Sequence, residues 1–246
     1  MEGSIFVIFG ASGGIGSTLA RLLHSQGHTI YLLGRNEKAL SDLSVQLSQP
    51  YIIVDALDEK AVEASLLSIK NKHGSLDGVV SCIGSVCLKP LHSVSLNEFD
   101  QVFRVNTLTA FNILKASCSI MGDQKKGSVV LCSSTASLIG LANHEAIAAA
   151  KGAINSMVRS AAASYAHKGL RVNAVAPGLV KTPLTQNIVS NETALKASTA
   201  FHPLGRIGEP SDIAQAIYWL LDPQNSWITG HVLPVDGGLS SIKTKI

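Results

Sequence analysis

Read from its first residue, the chain alternates short, nearly continuous apolar runs with longer stretches whose apolar residues recur at helical spacing. The runs "SIFVIFG", "HTIYLLG", "PYIIVDA", "DGVVSCIG", "GSVVLCSS", "GLRVNAVAPG" and "GHVLPVDGG" are rich in Val and Ile and bounded by Gly, Pro, Asp or Ser, as strands are. Between them, residues 17–26, Glu37–Leu47 and 59–72 read as helices. Strands apolar on both faces, each followed by a helix, predict a parallel sheet covered on both sides. The expected fold is therefore a single doubly wound α/β domain over residues 1–246, with seven strands and its ligands at their carboxyl ends. Residues 181–210 break the rhythm: polar, punctuated by proline and without a strand run, they read as a lid over the site.

Composition narrows the class. At 246 residues, 46% hydrophobic and 15% charged, with mean hydropathy +0.27, the chain can bury a sizeable core, which argues against disorder. The net charge of +3 is mild, and Lys70, Lys72, Lys125, Lys126, Lys243 and Lys245 are scattered. Aromatics, at 5%, are too few to interleave with them as stacking platforms, so no nucleic-acid partner is expected. Cys82, Cys87, Cys118 and Cys132 show neither C-x-x-C pairing nor zinc-ligand spacing, and no metal is expected. Cys82 and Cys132 end apolar runs, where a free thiol acts as a small hydrophobe, which suits a reducing cytosol. No apolar stretch nears the ~18 residues of a membrane span. The first strand starts within a few residues of Met1, leaving no room for a leader. A cytoplasmic protein acting on a small molecule is the expectation.

The first chemical signal follows the first strand. "GASGGIG" places Gly10, Gly14 and Gly16 as G-x-x-x-G-x-G ahead of the helix-forming "STLARLL". Side chains there would keep the backbone from a pyrophosphate, and the helix behind aims its first amides at the anion. Between a strand and a helix of a βαβ series, such a string indicates dinucleotide binding. At the end of strand two, "LLGRN" puts Gly34 where an NAD-selective site keeps a carboxylate, then Arg35. Losing a carboxylate and gaining a guanidinium favours the 2′-phosphate of NADP(H) over NAD(H).

These residues resemble the short-chain dehydrogenase/reductase family, a Rossmann-fold family, over essentially the full chain. Its glycine motif matches residues 10–16, with Phe9 where threonine is usual; Asp55 matches the aspartate at the adenine. "SCIG" stands for the family's N-N-A-G, so Ser81 and Cys82 replace both asparagines and Gly84 survives. "NAVAPGLVKTPL" is close to P-G-x-x-x-T, and "WITGHVLPVDGG" matches the C-terminal signature. The resemblance implies that the dinucleotide is held by Gly10, Ser12, Gly14, Ile15, Gly16, Arg35, Asp55, Cys82, Gly84, Lys151, Pro177, Gly178, Val180 and Thr182. It also implies a catalytic set of Ser134, Lys151 and Asn106, the asparagine anchoring a water near the lysine, and a homotetramer or homodimer built on helices 97–121 and 143–167.

One group of that set is missing. The family relates a tyrosine to its lysine as Y-x-x-x-K, and four positions before Lys151 stands Ile147. Hydride transfer to a carbonyl leaves an alkoxide that needs a proton, and isoleucine has none to give. The next tyrosine, Tyr165, is too far down the same helix to reach. His144 lies near the Lys151 face if the helix starts after a capping Asn143, and histidine is a common general acid; Glu145 would point outward. His144 reads equally as an exposed helix start, and Ser134 or a water joined to Lys151 and Asn106 is another proton route. The sequence thus points to an atypical NADP(H)-dependent oxidoreductase, with a silent cofactor-binding regulator or partner subunit, or a non-redox isomerase or lyase, as alternatives. Ile147 itself reads as a dry pocket wall whose truncation would only loosen the pocket. Leu184, Ile188, Val189, Leu195 and Phe201 are the expected lid lining.

Overall fold

The computed structural model describes residues 3–243; Lys245 lies outside them. The chain runs β1 (Ile5–Phe9), α1 (Gly14–Ser25), β2 (Thr29–Gly34), α2 (Glu37–Leu47), β3 (Tyr51–Ile53), α3 (Glu59–His73) and β4 (Gly78–Ser81). It continues through α4 (Leu96–Phe103), α5 (Thr109–Met121), β5 (Gly127–Cys132), α6 (Glu145–Tyr165) and β6 (Leu170–Pro177). α7 (Gln186–Val189), α8 (Glu192–Phe201), α9 (Pro210–Leu221) and β7 (Val232–Val235) complete it. All seven predicted strands form, in one parallel sheet of order β3-β2-β1-β4-β5-β6-β7.

Alternation along the strands sorts the core into two layers. Ile5, Val7 and Phe9 of β1 point to one face, where α3, α5 and α6 bury Leu66, Ile113 and Val158. Phe6 and Ile8 point to the other, against Leu19 of α1, Leu40 of α2 and Ile217 of α9. Helix starts follow local chemistry: the Asn36 side chain accepts from Ala39 N–H, Asp58 from Ala61 N–H, and Ser95 with Glu98 forms a reciprocal capping box.

Three expectations change. α1 begins at Gly14 rather than at residue 17, because the glycine turn itself enters the first helical turn. Residues 181–210 contain α7 and α8, the latter capped by Asn191, and are tied down where Val180 bridges to Gly208. Asn143 is not the cap of α6. It adopts the left-handed conformation at φ 63°, which asparagine tolerates, and passes the N-cap position to His144. No helix among the described residues is long and apolar enough to cross a membrane.

Candidate active site

Strand order reverses between β1 and β4, and a cleft of about 370 Å³ opens at their carboxyl ends. Gly10 turns there at φ 75°, and a Cβ on it would stand 3.0 Å from the Cys82 carbonyl carbon. A Cβ on Gly16 would stand 2.3 Å from the Gly10 oxygen, so only glycine lets α1 start this close to β1. Gly13, Gly14 and Ile15 line the cleft, and no side chain caps the start of α1. A backbone stripped of side chains beside an uncapped helix start is a cradle for a diphosphate, so these residues fit a nicotinamide dinucleotide.

Arg35 and Asp55 meet at the far end of the cleft, 3.9 Å apart and largely exposed. That distance is too long for a hydrogen bond, which leaves the guanidinium donors uncommitted. Gly34 puts no side chain between Arg35 and Ser12, whose Oγ lies 4.0 Å from where a Cβ would be.

Of the other expected cofactor residues, Gly10, Gly14, Cys82, Gly84 and Thr182 line this cleft. Gly16 lies beneath the turn, and Val180 is buried. Pro177 and Gly178 belong to a second cavity. Lys151 lines neither space; it is 5% exposed, and its Nζ donates to the Cys132 carbonyl at 2.8 Å. It stands just behind Gly84, where a Cβ would come within 3.4 Å of Nζ and 3.2 Å of Asn106 Oδ1. That glycine is thus a window from the cleft to the lysine.

Asn106 sits in a π-helical turn, Arg104–Leu108, joining α4 to α5, a distortion that often marks function. Its amide donates to Ser85 Oγ and the Val102 carbonyl, and its oxygen accepts the Ser85 N–H. Thr107 donates to the Ala150 carbonyl, fixing the turn beside Lys151.

Cys82 follows β4 directly and Cys132 ends the neighbouring β5, both against the same core layer. The Cys82 thiol donates to Cys132; that bond, together with burial, raises the Cys82 thiol, and the same bond lowers that of Cys132 against the opposing effect of burial. Burial pushes Lys151 down to about 8, against the opposing pull of the two sulfurs. Its folded pKa is then below the usual 10.5, so the unfolded chain holds the extra proton between those values. Stability should therefore rise from about pH 8 to 10.5, by at most ~3 kcal/mol from this group, while below pH 8 the full cost of burying the charge remains. Urea unfolding across that range should show the rise in the native protein and a flatter curve for Lys151→Met; the same rise in both would assign it elsewhere.

The second cavity, of about 400 Å³, adjoins the cleft along two segments. After β4 the cleft takes Ile83 and Gly84, and the cavity takes Val86 and Leu88. After β6 the cleft takes Thr182 and Leu184, and the cavity takes Thr185 and Ile188. Ser134, His144 and Ile147 meet in this cavity. Ser134 Oγ accepts the Ala136 N–H at 3.2 Å, which leaves its own proton to give. His144 Nδ1 lies 2.7 Å from the Ala142 carbonyl. A carbonyl only accepts, so Nδ1 carries a hydrogen and Nε2 is the atom left for chemistry. Ile147 is 5% exposed and packs with Ala146, Ala150 and Val102, so it is core as well as wall. Glu145 is exposed, as expected.

Of the expected lid lining, Ile188 and Phe201 reach the cavity, whereas Leu184 lines the cleft. Leu195 lies along a separate outer groove and Val189 lines none of these spaces, because α7 and α8 present only one face inward. His202 was not read from sequence at all. Buried at the end of α8, it donates from Nδ1 to the Ser198 carbonyl and accepts the Leu179 N–H at Nε2, pinning the end of α8 to the segment after β6. A lone histidine with neither motif nor periodicity gives no signal of this.

Known proteins share this sequence pattern and fold. Residues 10–240 match a family model described as enoyl-(acyl carrier protein) reductase. The chain is 33% identical over 249 residues to the 2,5-dichloro-2,5-cyclohexadiene-1,4-diol dehydrogenase of Sphingobium indicum, covering 98% of this chain and 99% of that one. A short-chain type dehydrogenase/reductase from Mycobacterium ulcerans superposes with TM-score 0.94 at 27% identity, over 98% of this chain and 90% of that one. ElxO with NADP bound superposes with TM-score 0.90 at 28% identity, over 98% and 100%.

Proposed function

The chain belongs to the short-chain dehydrogenase/reductase family, and we propose that it is an NADP(H)-dependent oxidoreductase of a small carbonyl or alcohol, with His144 in place of the absent tyrosine. The observation that carries this reading is that the segments after β4 and β6 line first the glycine-rich cleft and then a cavity whose wall holds Ser134, His144 and Ile147. The named activity of the Sphingobium relative and the NADP in the ElxO structure lend it support.

A nicotinamide dinucleotide held along residues 10–16 and Arg35 would supply or take a hydride; the chain supplies the rest. Ser134 Oγ–H donates to the substrate oxygen and orients it. His144 Nε2 gives its proton as imidazolium in reduction and takes one as neutral imidazole in oxidation. Lys151, behind Gly84, holds positive potential beneath the ribose side of the cleft. Residues 181–210 act as the lid, held by His202. The exposed Phe99, Leu108 and Phe111 of the α4–α5 run suit a homo-oligomer formed through α4, α5 and α6, and the four free cysteines suit the cytosol.

A second reading, a cofactor-binding member without turnover, is favoured by the burial of Ile147 and the engagement of Lys151 with Cys132. It retains the cofactor and loses the chemistry.

Calorimetry tests the cofactor first. NADPH should bind at least ~10-fold tighter than NADH, and Arg35→Ala should lose mainly that difference, ~1.5–3 kcal/mol for a charge-assisted hydrogen bond. Equal affinities in the unmodified protein would overturn the NADP(H) assignment. Oxidation of NADPH across a carbonyl panel then separates the active reading from the silent one.

A further inference from the structure

We propose, resting on the oxidoreductase reading, that the second cavity selects uncharged, compact, mostly hydrocarbon ketones or secondary alcohols with one polar pole, and excludes anionic substrates. Its wall contains no Lys, Arg, Asp or Glu among the described residues. Most of its buried polar groups already have partners. Thr135 donates to the Ala176 carbonyl and Asp236, Thr185 donates to the Val180 carbonyl, and both nitrogens of His202 are engaged. The Ser134 hydroxyl proton and His144 Nε2 remain to be given to a substrate, enough for one oxygen, and Asn143 and Ser198 are the other polar side chains of the wall.

Most of the rest of the wall is apolar, from Val86 and Leu88 after β4 to Ile188 and Phe201 of residues 181–210 and Leu239 near the C terminus. A volume of about 400 Å³ is at the small end for ligand sites, which suits a ring or short branched body over a long chain. The same molecule handles charge differently in the neighbouring cleft, with Arg35 and an uncapped helix start. Apart from Ser134 and His144, which the ketone or alcohol oxygen takes, the cavity wall has no such provision among the described residues, so a carboxylate or phosphate elsewhere in it would give up its water for nothing. Ile147 adds to this: the position that would carry a phenol contributes only hydrocarbon to the wall.

Calorimetry on NADP+-saturated protein tests this without turnover. Cyclohexanone and 4-oxocyclohexanecarboxylate differ by one carboxylate on the same ring. The neutral ketone should bind at least ~30-fold tighter, because with its carbonyl on Ser134 and His144 nothing across the ring replaces the water of the anion. Leu88→Arg, at a partly exposed wall position, should return at least ~10-fold of affinity to the carboxylate through a charge-assisted pair. Equal or tighter binding of the carboxylate by the unmodified protein overturns the proposal, as does the absence of binding by the neutral ketone while NADP+ itself binds. Failure of NADP+ to bind would instead remove the oxidoreductase reading, and this inference with it.

Discussion

His144→Ala is expected to lower NADPH-dependent carbonyl reduction by ~100-fold or more, the scale of a lost general acid, with NADPH affinity unchanged. The structure makes the variant informative. His144 is the N-cap residue of α6 but forms no side-chain cap bond, so alanine does not strip the helix start. What is lost is one partly exposed bond from Nδ1 to the Ala142 carbonyl and the free Nε2 in the cavity. A drop in turnover with native unfolding behaviour would therefore belong to chemistry. Full retention of turnover would transfer the proton to the Ser134 route, and Ser134→Ala should then be the silent variant. Ile147→Tyr completes the set: its phenol would project into the 400 Å³ cavity, at the family's spacing from Lys151. An inactive parent awakened by that tyrosine would establish the silent reading; an active parent impaired by it would establish that isoleucine shapes a working site.

The second large effect falls on stability. Ile147→Ala should cost about 2–3 kcal/mol, the lower part of the range for truncating a buried aliphatic, since the void would open onto an existing cavity. This revises the expectation that truncation merely loosens the pocket, because Ile147 packs with Val102 and Ala150 and is backed by Cys87, Val94 and Phe103. Urea unfolding gives the value directly. A loss below ~1 kcal/mol would mean the side chain faces the cavity and contributes little to the core.

The contrast between these residues explains what the chain discloses when read alone. Strands β1, β2, β4, β5 and β6 were legible because burial on both faces forces continuous apolar runs. The glycine turn was legible because steric exclusion leaves one residue type: nothing larger than hydrogen fits 2.3 Å from the Gly10 oxygen. The start of α6 was not, since asparagine serves both as a cap and in the left-handed conformation, and only tertiary context chose the second for Asn143. Nor was the seclusion of Lys151 legible; a lysine on an alanine-rich helix reads the same whether its ammonium meets water or the Cys132 carbonyl. The division of the lid into cleft, cavity and outer faces depended on how α7 and α8 turn, which short polar segments do not encode by periodicity.

The reversal of strand order between β1 and β4 also governs how the protein comes into being on the ribosome. β1, β2 and β3 emerge first and hold among themselves all the pairing they have with one another, whereas the second edge of β1 has no partner until β4 brings Gly78 to Phe6. An apolar strand with an open edge is a hazard for association with other nascent chains. The cleft around the glycine turn is unfinished for the same interval, because Cys82 and Gly84, which also line it, lie beyond β4. The dinucleotide can thus stabilise only the finished sheet and cannot rescue the early half. Substitutions in β4 should therefore show as insolubility during synthesis before they show as weakened cofactor affinity.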